Sequence, residues 1–85
     1  MSRSEKYINE LVSLAKELCP NAEITISTTP WEQEDGRIKV IVPSEKFDEV
    51  DEALLRRSNQ ILLEEGHDIL TIVYDREELA SRMAA

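Results

Sequence analysis

The chain has 85 residues, a formal net charge of −8 and 41% hydrophobic residues. One domain, spanning 1–85, fits this length; it would bury roughly 60–65% of its unfolded surface, so a thin two-layer fold is expected. The negative charge works against phosphate-bearing partners, the lone Cys19 excludes an internal disulfide, and no apolar run of signal-peptide or membrane-spanning length occurs, so a soluble cytoplasmic protein with no membrane association is expected.

Residues 2–19 form the first predicted helix. Tyr7, Ile8, Leu11, Leu14, Ala15 and Leu18 recur at three- and four-residue intervals, and Ser2 and Glu5 have capping-box spacing. Pro20 and Asn21 end it, leaving Cys19 as a small apolar packing group. From Glu23 to Thr29 the period changes to two, as in a half-buried strand, and Pro30 closes it. Arg37–Val42 alternates again, so the two runs predict a hairpin with Trp31–Gly36 as its loop and Asp35-Gly36 supplying the turn. Trp31 is expected to lay its ring over the sheet edge or a helix end, because Trp is seldom fully buried yet usually largely covered.

Pro43-Ser44 opens a long predicted helix with Ser44 as N-cap and Gly66 as its stop. Phe47, Val50, Leu54, Ser58, Ile61 and Leu62 share one stripe, with Ser58 permitting close approach to a sheet. At about 30 Å this helix outruns six-residue strands of roughly 20 Å, so it overhangs the sheet or breaks. Leu55 and Leu63 fall beside or off the stripe. Ile69–Tyr74, "ILTIVY", predicts a well-buried strand, and Asp75 with Glu78 opens a short final helix packed through Leu79 and Met83.

These elements define an α+β two-layer sandwich of order α-β-β-α-β-α, with helices on one face of a three-stranded mixed sheet and a right-handed crossover between the second and third strands. The order resembles that of the small BolA-like and KH-like folds, in topology alone. The Gly-X-X-Gly loop of KH domains is missing, and the hairpin segment holds neither the Cys nor the His that BolA-like proteins use for iron-sulfur partnership. Alternation assigns Ile24, Ile26, Ile38, Val40, Val42, Leu70, Ile72 and Tyr74 to the helix side. The opposite face then gathers Arg37, Lys39, Ile41, Ile69 and Val73.

Catalytic and metal chemistry find little support. Glu32, Glu34 and Asp35 lack the spacing of a calcium loop, His67-Asp68 has no nucleophile placed for it, and Gly36 and Gly66 belong to no phosphate-binding fingerprint. No catalytic, cofactor-binding or metal-binding residue is assigned. Arg56 and Arg57 are expected to pair with acids on their own helix, among Glu49, Asp51, Glu52 and Glu64. The expected function is a non-enzymatic accessory domain that binds another protein and itself. Candidate contact residues are Ile41, Ile69 and Val73 on the sheet, Leu55 and Leu63 on the long helix, and Trp31, Arg37 and Lys39 at the hairpin. The alternative is a KH-like or BolA-like RNA-binding module using Arg37 and Lys39, since single strands are held by cations and stacking on a sheet face, and a third reading is an enzyme using His67 and Asp68.

Overall fold

The computed structural model describes residues 3–27 and 36–84. Their order is α1 (Arg3–Leu18), β1 (Glu23–Ser27), β2 (Gly36–Val42), α2 (Ser44–Glu65), β3 (Ile69–Asp75) and α3 (Arg76–Ala84). Trp31, the carboxylates at 32, 34 and 35, and the end of the expected first strand lie outside the described residues. Gly36 is the first residue of β2, and the Asp35-Gly36 turn expected before it lies outside the described residues.

The sheet order is β1-β2-β3, with β1 antiparallel and β3 parallel to the central β2. α1 lies over β2 and α2 chiefly over β3, both on the same face. The core forms where the apolar stripes meet: Tyr7, Ile8, Leu11 and Ala15 from α1, Val50, Leu54 and Ile61 from α2, and Ile38, Val40 and Val42 from β2 are buried. Cys19 is buried beside them as a free thiol. The central strand shows the clean alternation of a half-covered sheet, while Ile24 and Ile26 on edge strand β1 face the helices less completely; Ile26 is 47% exposed.

The third strand departs from expectation twice. It is an edge strand, and along it only Ile69 is fully buried. Its phase is also inverted: Ile69 is 3% exposed and Val73 packs against the core, so these two face the helices rather than the open side. Leu70, Ile72 and Tyr74, expected inside, share the open face with Arg37, Lys39 and Ile41, beside which the parallel register sets them.

α2 does not break. Its 22 residues run unbroken from Ser44 to Glu65, and at Gly66 a φ of 74° ends the helix and the Gly66 N–H donates to the Leu62 carbonyl at 3.0 Å. A glycine suits this left-handed cap because it has no Cβ to strain. Pro43 rather than Ser44 occupies the N-cap position, with extended backbone and no side-chain cap. The Ser44 hydroxyl instead donates to Asp75 Oδ1 at 2.6 Å. Asp75 caps α3 as expected, its Oδ1 accepting from the N–H groups of Glu77 at 3.0 Å and Glu78 at 3.4 Å. Ser58 is buried under α2, and its hydroxyl is satisfied by the Leu55 carbonyl at 3.0 Å, so it approaches the sheet without an orphaned polar group.

Candidate interaction surface

Three patches of the described residues are apolar or cationic and uncovered. The first is the open sheet face. Arg37 and Ile41 are half-buried and Lys39 is exposed along β2, while β3 adds Leu70, 40% exposed, with Ile72 and Tyr74 half-buried. Glu23, Thr25 and Ser27 of β1 complete it by register with Ile41, Lys39 and Arg37. The two cations and the apolar residues therefore occupy adjacent strands of one face. Lys39 stands between Thr25 and Ile72, and Ile41 between Glu23 and Tyr74.

The second patch is the outer edge of β3. Seven residues lie along it, and from Ile69 to Tyr74 none is charged and none is proline. Alternate residues of an edge strand turn both N–H and C=O outward, and such edges are usually blunted by Lys, Pro or a bulge. Its C-terminal end is flanked by α3: Phe47, Val73, Asp75 and Leu79 line a shallow cleft of about 180 Å³ there.

The third is one flank of α2. Arg57 reaches across to α1, its Nε donating to Glu10 Oε2 and its Nη2 donating to Glu10 Oε1 at 3.1 Å. This paired geometry holds the Glu10 carboxyl below its ordinary value, chiefly through the hydrogen bond from Arg57, and raises the guanidinium in turn. The expected partners of Arg57 lay on its own helix; the observed acid lies 47 residues away. Arg56 does behave as expected, pairing with Glu52 at 2.8 Å. At about 100° per residue, Leu55 sits some 160° around α2 from Arg57, and Leu62 lies within about 20° of Leu55. Leu55 and Leu62, 53% and 43% exposed, thus mark the flank turned away from α1. Leu63 is 84% exposed but lies about 80° from Leu55, pointing away from the sheet, so the two do not form one patch.

His67 stands in the loop before β3, packed on α1. Its ring lies 5.4 Å from that of Tyr7, tilted by 43°, as part of the packing of α1 against the loop before β3. Among the described residues no three His, Cys, Asp or Glu side chains gather as metal ligands, and no helix is long and apolar enough to cross a membrane.

Among the described residues of this small α+β protein, no strand pairs with the outer edge of β3, and the run Ile69 to Tyr74 along it carries no charge. Comparison with protein-family models, curated proteins and solved structures found no match.

Proposed function

We propose that the protein is a non-enzymatic, cytoplasmic accessory domain that works by protein contact, beginning with association to a second copy of itself. The observation that carries this reading is the position of β3. The most apolar strand of the chain lies at the edge, with Leu70, Ile72 and Tyr74 on an uncovered face. A polar solvated edge would favour a monomer, whereas this one offers backbone donors, acceptors and apolar side chains together. Cα extents of 38 × 27 × 20 Å leave a flank able to provide the roughly 800 Å² per partner of a standard interface.

Sedimentation velocity of the full chain over a hundredfold concentration range tests the reading, with a shift from monomer to dimer as the expected result. A monomer at every concentration sinks it. The RNA-binding alternative rests on Arg37 and Lys39, and the net charge of −8 opposes it. Binding of a single-stranded RNA that weakens steeply with salt and is lost in Arg37→Glu would replace the self-association reading with that one.

A further inference from the structure

We infer that α3 is a strap over an apolar cleft. It swings away at the Asp75-Arg76 junction and uncovers Phe47 and Val73, while the sheet, α1 and α2 keep their packing. This device belongs to a single chain and does not depend on self-association. Among the described residues, the buried core draws on α1, the turn after it, the sheet and α2, and takes nothing from α3.

The polar ties that hold α3 to the body gather in its first turn. Asp75 Oδ1 accepts from the Glu77 and Glu78 N–H groups, and Arg76 Nη2 donates to the Asn21 carbonyl at 3.2 Å, reaching past the end of the central strand to the turn before β1. Further along, Arg82 donates to Glu78 at 2.7 Å within the helix itself, which fastens nothing to the body. Of the described side chains after Arg76, Leu79 alone is half-buried, whereas Glu77, Glu78, Ala80, Ser81 and Arg82 are exposed. Leu79 lines one cleft with Phe47 from the first turn of α2 and Val73 from β3, and about 180 Å³ of it stays unfilled. Protein interiors are close-packed, so an open seam of this kind marks a contact with few dispersion partners to lose on opening. Segments with so few buried apolar contacts lie at the low end of the local opening scale. Phe47 and Val73 pack against the core from beneath, so both stay in place when the helix leaves. The closed strap thus withholds an apolar floor that the open one presents.

Leu79→Ser and Ala80→Ser in the full chain separate docking from helix propensity. The first removes the side chain over the cleft, and the second changes only the exposed side of the same helix. The probe is 8-anilinonaphthalene-1-sulfonate, which fluoresces on exposed apolar surface. With Leu79→Ser its emission is expected to rise at least about threefold over the wild type. Far-ultraviolet dichroism should fall by no more than the 9 residues of α3 contribute, and Ala80→Ser should match the wild type in both signals. Equal emission from the wild type and Leu79→Ser would overturn the strap, because Leu79 would then cover nothing. Equal responses of the two variants would do the same, since helix propensity alone would explain them. Loss of all helical dichroism in Leu79→Ser would overturn it as well, by making α3 integral to the fold. Each of these outcomes leaves self-association to be decided by sedimentation.

Discussion

Leu54 and Leu55 are adjacent leucines on one helix, and they separate packing from surface chemistry. Leu54 is 0% exposed between α2 and the sheet, while Leu55 is 53% exposed on the outer flank. Truncating a fully buried leucine to alanine removes its transfer free energy and leaves a cavity, which together cost about 3 kcal/mol where the surroundings relax little. Total stability at roughly 0.05–0.15 kcal/mol per residue is only about 4–13 kcal/mol for this length. Leu54→Ala therefore removes roughly a quarter to three quarters of it. Leu55→Ala is expected to stay within about 0.5 kcal/mol, as surface changes usually do. Urea unfolding followed by circular dichroism, at a concentration low enough to keep the chain monomeric, measures both. With a slope near 1 kcal/mol per molar, the Leu54→Ala midpoint falls by about 2–3 M and that of Leu55→Ala by less than about 0.5 M. Equal shifts would mean that α2 is rotated about its axis relative to the packing described above, and the argument for its outer flank would go with it.

Gly66→Ala is expected to cost about 1 kcal/mol, seen as a lowered thermal midpoint, because a side chain at a φ of 74° is strained even though nothing lies within 4 Å of the added methyl. Gly66→Asn should cost less, since Asn tolerates the left-handed region. The carboxyls of Glu10 and Asp75 sit below their ordinary values of 4.5 and 3.8, chiefly through hydrogen bonds from Arg57 and Ser44 respectively. The unfolded chain then binds more protons in that range, so the stability they contribute is present above those ordinary values and is lost as pH falls through the lower folded ones. Acid titration of the unfolding midpoint should show this loss, and Asp75→Asn, which keeps an acceptor at the cap but cannot titrate there, should flatten it; an unchanged acid limb would discount the role of Asp75. For the Glu10–Arg57 pair, Arg57→Lys is expected to return the Glu10 resonance toward ordinary carboxylate titration by nuclear magnetic resonance, because an ammonium cannot reproduce the two-pronged contact.

What could be read in advance depended on whether the local pattern carried a phase. In β2, Ile38, Val40 and Val42 alternate with residues of which two are cationic, and the helix-facing side was evident. Tyr7 through Ala15 likewise revealed the buried stripe of α1. The run from Ile69 to Tyr74 has apolar residues at both parities, so its composition announced a strand while leaving its facing undetermined. The parallel register, which sets Val73 beside Val40 and Ile72 beside Lys39, decides that facing. Apolarity also suggested a well-buried strand, but burial follows from position in the sheet, and there is no fourth strand among the described residues to cover β3. Of the surface candidates, Lys39, Ile41 and Leu55 lie where alternation and the helical stripe put them, whereas Ile69 and Val73 turn inward. Leu62 was assigned to the buried stripe and proves to belong to the outer flank. The Glu10–Arg57 contact was out of reach because nothing local signals an acid 47 residues away.

The carboxylate of Asp75 joins three segments at one atom: the start of α2 through Ser44, the end of β3, and the first turn of α3. The final helix thereby inherits its cap from a strand that must already be docked under α2. Its 9 residues are too few to persist alone in water, so its amides should be the first of the three helices to exchange with solvent and should open without the rest of the chain unfolding. A hydrogen-exchange hierarchy with α3 at the bottom would identify this helix as an independently opening unit, held by the Asp75 cap and by the Arg76 guanidinium donating to the Asn21 carbonyl at 3.2 Å.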